Sequence, residues 1–291
     1  MKRFLSLGMI MVVLAMVLAG CAGGTGDSGA AESKEVKLGA VNWAEGIAMT
    51  NLAKAVLEEK MGYSVEITVA DVAPIFASVA SGDYDAFMDA WLPLTHETYM
   101  EEYGEKLVDL GHNFEGAKIG LVVPSYVDID SIEEMNANAD KFDGQIVGID
   151  AGAGIMKATE NVITDYDLSN IELMASSGPM MTAALKKAVD EGEWVAVTGW
   201  KPHWKFARWD LKFLDDPKGD FGEAENIHTV ARVGLKEDMP EVASFLEKFM
   251  LDDQQLGGLM GMIADSEDME PIDVAKQWME ENEELVNSWI E

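Results

Sequence analysis

The chain has 291 residues, 48% of them hydrophobic, with 53 Asp and Glu against 21 Lys and Arg and a formal net charge of −32 at pH 7. That much acid repels a polyanion and excludes nucleic acid as a partner, while the apolar content excludes a disordered chain, so the acid must coat a folded globule. Such a surface repels itself in dilute buffer and is screened in brine, which points to a salt-rich habitat.

The N-terminus opens with Lys2 and Arg3, followed by an almost unbroken apolar run over 4–19 and "LAGC" at 18–21. The run is shorter than the roughly 20 residues of a membrane-spanning helix. It reads as a lipoprotein signal peptide over 1–20, cleaved before Cys21, whose sulfur takes the lipid; an uncleaved N-terminal anchor is the alternative. Cys21 is the sole cysteine, so no intramolecular disulfide can form. Residues 21–35 are small and polar and form a flexible tether. The globule is expected from about residue 36, outside the cytoplasmic membrane.

From there strand-like and helical stretches alternate. "EVKLGAVNW" predicts a strand, 46–60 a helix, "YSVEITVA" a strand, "APIFASVASG" a short helix, and "YDAFMDAWL" a strand ending at Trp91. "GAKIGLVVP" at 116–124 is another strand. A second set follows: "GQIVGIDAGAG" is a strand with a glycine-rich turn, 155–166 a helix, "IELMASSG" a strand, "PMMTAALKKAVDEG" a helix opened by Pro179, and "WVAVTGW" a strand. "DLKFLDDPKG" is strand-like, and from 239 onward the apolar period is helical. Alternation of this kind predicts an α/β fold with largely parallel sheets flanked by helices. The two sets imply two lobes: domain I, discontinuous, over 36–121 and 214–291, and domain II over 122–213, with the two connections as a hinge. One continuous doubly wound sheet is the alternative.

Ligands of open α/β sheets sit beyond the carboxyl ends of the strands. Three such ends carry tryptophan: Trp43 in "VNW", Trp91 in "DAW" and Trp200 in "TGW". Converging indole faces attract a cation without needing a hydrogen bond, which suits a quaternary ammonium; the alternative is that the three fill separate core pockets. "AEGIA" places Gly46 and Ile47 in the first turn of the helix after Trp43, where free amides and the helix dipole favour an anion. "GWKPH" places His203 three residues past Trp200, within reach of the same anion. A cation box beside an anion site describes a zwitterion such as a betaine. "GIDAGAGIM" at 148–156 lacks the spacing of a dinucleotide fingerprint and reads as a tight turn lining the cleft. His96 follows Trp91 and either lines the site or, the favoured reading, is structural. No metal-ligand spacing, phosphate loop or nucleophile elbow is present, so no cofactor, metal or catalytic group is expected.

"NWAEGIAMTNLAKAVLEEKMGY", "DAWLPLTHETY", "GIDAGAGIMKATE", "AVTGWKPHWKFARWDLKFLDDPK" and "IHTVARVGLKEDMPE" resemble the glycine betaine substrate-binding proteins of ABC transporters, over roughly 36–290. The resemblance implies a two-lobed type II periplasmic-binding-protein fold with a discontinuous domain I, and a tryptophan prism around the trimethylammonium group. By the same resemblance Trp43, Trp91 and Trp200 match the prism, Gly46 and Ile47 the carboxylate-binding amides, and His203 the carboxylate-binding histidine. The implied partners are glycine betaine or a related betaine, and a membrane permease. A choline receptor, a surface-anchored hydrolase and a tethered adhesion module are the rival readings.

Overall fold

The computed structural model describes residues 35–266 and 268–291. The expected leader, Cys21 and all of the tether except Glu35 lie outside the described residues.

The first half builds β1 (Glu35–Ala40), α1 (Ala44–Glu59), β2 (Ser64–Val69), α2 (Val72–Ser81), β3 (Ala86–Leu92), α3 (Glu97–Tyr103) and β4 (Leu107–Pro124). The second half adds β5 (Gln145–Val147), α4 (Gly154–Asp165), β6 (Glu172–Met174), α5 (Gly178–Glu191), β7 (Val197–Lys201), α6 (Lys205–Arg208) and β8 (Leu211–Phe213). The chain then returns through β9 (Glu225–Arg232), α7 (Leu235–Asp238), α8 (Pro240–Lys248), α9 (Asp253–Asp265), α10 (Pro271–Glu281) and α11 (Glu283–Ile290).

Among the described residues the strands run in the order β2-β1-β3-β9-β4-β7-β5-β6, with β8 beside β4. At each outer end stands a parallel triplet, β2-β1-β3 and β6-β5-β7. Between them β9 runs antiparallel to β3 and β4, and β4 antiparallel to β7 and β8. The sheets are therefore mixed, which corrects the expectation of largely parallel ones. β4 is the bridge between halves: it pairs with β9 as far as Ala117 and with β7 from Lys118 onward. The changeover falls before the boundary expected at 121, because Gly120 and Leu121 already lie in the β7 ladder.

The helices take their ends from local chemistry. Ser177 caps α5 through Met180 N, with Pro179 in its first turn, and Asp252 with Gln255 forms a capping box on α9. α1 starts at Ala44, two residues earlier than expected, and buries Met49, Leu52, Val56 and Leu57. Each such buried side chain contributes on the order of 1.5–3 kcal/mol of transfer free energy. The C-terminal helices come back to the first half: α9 and α10 pack on α1, α8 on β4, and α11 on α8. Among the described residues no helix is long and apolar enough to cross a membrane.

Candidate functional site

The carboxyl ends of β1, β3, β5 and β7 meet at one cleft. Trp43 follows β1 as the N-cap of α1 in extended conformation, and its side chain makes no cap bond, so the ring leaves the helix. Trp91 and Trp200 are the penultimate residues of β3 and β7. All three indoles line a single cavity of about 20 Å³. The same cavity is lined by Glu45 and Thr95 from the first half and by Gly154 and Ile155 from the second.

Each indole is held by an acid. Trp91 Nε1 donates to Asp89 Oδ1 at 2.9 Å, a partner two residues back on the same face of β3. Trp200 Nε1 donates to Glu45 Oε2 at 2.8 Å, and Trp43 Nε1 to Asp150 Oδ2 at 3.1 Å. With their N–H groups turned outward onto carboxylates, the rings are left to present π-density to a guest, which suits a cation.

Glu45, Asp89 and Lys205 are fully buried. Burial pushes the Glu45 carboxyl up to about 7, against its bond from Trp200. Asp89 is held well above the usual carboxylate range, first by burial and then by the charge of Glu45. Lys205 is lowered to about 7 by burial, with the charge of Glu45 opposing, and its Nζ stands 4.2 Å from the Trp200 ring centroid. Glu45 Oε1, Asp89 Oδ2 and Lys205 Nζ have no hydrogen-bond partner.

The uncapped start of α4, like that of α1, borders this cavity. α4 begins at Gly154 behind Ala153, which is extended and has no side chain able to cap. First-turn amides have no carbonyl partner within their own helix, and the dipole adds positive potential there. His96 is fully buried against Trp43 and does not line the cavity. Its Nδ1 accepts from Trp91 N at 2.9 Å, which places the ring proton on Nε2. That Nε2 is buried without a partner, and the ring stacks on Trp43 at 5.9 Å. Burial lowers His96 to about 3, so the ring is neutral at physiological pH.

Gly46, Ile47 and His203 do not line this cavity; Ile47 and His203 border an adjoining groove that shares Trp43 and Trp200 with it. Gly46 is buried where a Cβ would stand 2.5 Å from Asp89 Oδ2 and 3.0 Å from Val41 Cγ2, so its bareness makes room for the acid. The Ile47 amide donates to Trp43 O at 2.9 Å, closing the first turn of α1. His203 Nδ1 accepts from Lys205 N at 3.1 Å and its ring stands edge-on to Trp200 at 5.0 Å. Glu45 was passed over, whereas Asp150, Gly154 and Ile155 belong to the 148–156 turn expected to line the cleft, without an individual role assigned to them. The signal for the last two was present, an uncapped helix start after the glycine-rich turn.

A family model described as the substrate binding domain of ABC-type glycine betaine transport systems matches residues 34–281. The chain belongs to this family. It is thus a substrate-binding protein of an ABC transport system, extracytoplasmic and not an enzyme. The glycine betaine/carnitine transport binding protein GbuC of Listeria monocytogenes is 47% identical over 148 residues, 50% of this chain and 49% of that one, so the match spans about half the length of that relative. The glycine betaine, L-proline-binding protein ProX of Borrelia burgdorferi is 40% identical with a TM-score of 0.84, over 88% of this chain and 97% of that structure. Lactococcal OpuAC, closed around glycine betaine, is 38% identical with a TM-score of 0.82, over 88% and 99%. These likenesses give the family fold in its two-lobed form.

Proposed function

We propose that this protein captures glycine betaine, or a close quaternary-ammonium zwitterion, and delivers it to the membrane permease of its transporter. The methylated nitrogen would sit among Trp43, Trp91 and Trp200, each desolvated face contributing on the order of 1–2 kcal/mol. The carboxylate would lie on the first-turn amides of Gly154 and Ile155. One observation carries the reading: three acid-anchored indoles and an uncapped helix N-terminus line the same cavity. What the printed names of the relatives say they bind, glycine betaine among them, supports it.

The two halves joined at β4 act as domains that close on the ligand, and the ligand stabilises the closed state by its differential affinity for it. Lipid on Cys21 would hold the receptor at the outer face of the cytoplasmic membrane. Import of a compatible solute, osmoprotection in a salt-rich habitat, fits the acidic composition. Calorimetry in high salt against glycine betaine, proline betaine, carnitine and choline tests the reading. Glycine betaine should bind more tightly than choline, which has no carboxylate; equal affinity for the two would remove the anion site, and no binding of any would remove the proposal.

A further inference from the structure

The three indole–carboxylate bonds are not equivalent. Trp91 and its acceptor Asp89 share one strand, so their bond exists whether the halves are together or apart. The other two cross the cleft, and they cross it in opposite directions. Trp43 and Glu45 stand at the start of α1 on the first half, whereas Asp150 and Trp200 stand beyond β5 and on β7 in the second. Trp43 is bonded to Asp150, 107 residues away, and Trp200 to Glu45, 155 residues away. Trp91 aside, each half thus supplies one cage tryptophan and the acid that holds the other half's tryptophan.

We propose that Glu45 and Asp150 are positioning residues, a reciprocal pair of carboxylates that orient the opposite lobe's cage indole and so complete the cage only when the lobes are closed. The inference rests on this cavity being the ligand site. Burial supports it: Glu45 is fully buried, spends one oxygen on Trp200 and has no hydrogen-bond partner for the other. Among the described residues the Trp200 bond is the one side-chain hydrogen bond on that carboxyl, and it ties the carboxyl to the opposite half. In the parted state both acids would face water and both indoles would lose their anchor, so ring orientation and closure form together. The device makes release slow without adding a contact to the ligand.

The test is stopped-flow tryptophan fluorescence with glycine betaine on wild type, Glu45→Ala, Glu45→Gln, Asp150→Ala and Asp150→Asn. Small-angle scattering of the ligand-free wild type and of the double variant E45A/D150A runs beside it. Each alanine variant should release ligand about tenfold faster or more, the scale of one hydrogen bond to a charged group, with association changed by no more than about threefold. The amide variants, whose side-chain oxygens still accept, should recover most of that loss. Unchanged release in both alanine variants would overturn the proposal, as would amide variants as impaired as the alanines. If the wild type binds no betaine the functional reading fails, and the scattering then decides: a larger radius of gyration in E45A/D150A supports the pair, and equal radii overturn it.

Discussion

Gly154→Ala adds one methyl group at the first residue of α4, and the structure says what it meets. An ideal Cβ there stands 2.6 Å from Thr95 Cγ2 and 2.9 Å from the Thr95 carbonyl carbon, and closer still to its oxygen. Thr95 belongs to the opposite half and cannot retreat easily, because its amide and that of Leu94 are fixed on Glu225 Oε2 at 3.1 and 2.9 Å. Restoring ordinary contact of about 3.5 Å or more requires the halves to part there by roughly 1 Å. A displacement of that size carries the Trp200–Glu45 and Trp43–Asp150 bonds, now 2.8 and 3.1 Å, past the hydrogen-bonding limit. At about 1.5 kcal/mol each, their loss weakens glycine betaine binding by about 3 kcal/mol, roughly 100-fold in Kd. Gly154 lies in a helix, where alanine is favoured over glycine. The ligand-free protein should therefore melt no lower than wild type. Calorimetry gives the affinity, and thermal melts with and without ligand show whether the stabilisation by ligand is lost. Wild-type affinity in a normally folded Gly154→Ala variant would refute the cross-cleft geometry.

Trp200→Ala removes one desolvated face and should weaken glycine betaine binding about tenfold or more by calorimetry; retained affinity would place Trp200 outside the site. His96, neutral when folded with its proton affinity lowered to about 3 from 6.5, takes up a proton in the unfolded chain first. Its contribution is full above pH 6.5 and is lost as pH falls, at about 1.4 kcal/mol per pH unit between 6.5 and 3. His96→Phe, set among Phe76, Tyr99 and Trp43, should show a shallower decline of melting temperature over that window; an unchanged slope would mean His96 is not buried neutral. The net charge of −32 should make the wild type melt higher in molar salt than in dilute buffer, and a melting temperature indifferent to salt would remove the case for adaptation to brine.

The parallel triplets were readable because β1, β3, β5 and β7 are apolar runs bounded by turns. β9 and the first part of β4 were not. In β4 the run 107–117 contains Gly111 and Gly116 at φ of 104° and 78°, and its pairing with β9 shifts register three times. Irregularities of this kind break the alternation that marks a strand, so only the partner reveals it. β9 places His228 and Arg232 at positions that a ladder partner and an ion pair with Asp85 make tolerable, which no local pattern announces.

Local chemistry alone placed three tryptophans at the ends of strands, and it set the acidic surface and the order of elements, because each depends only on neighbours in the chain. It could not choose between two helix starts. "EGIA" and "AGIM" both carry Gly-Ile in a first turn, and a dipole and free amides belong to each equally. The choice depends on which side of Trp43 the cavity lies. That is set by how two halves of the chain meet, more than 100 residues apart at the Trp43–Asp150 and Trp200–Glu45 bonds. Only the tertiary structure brings those surfaces together.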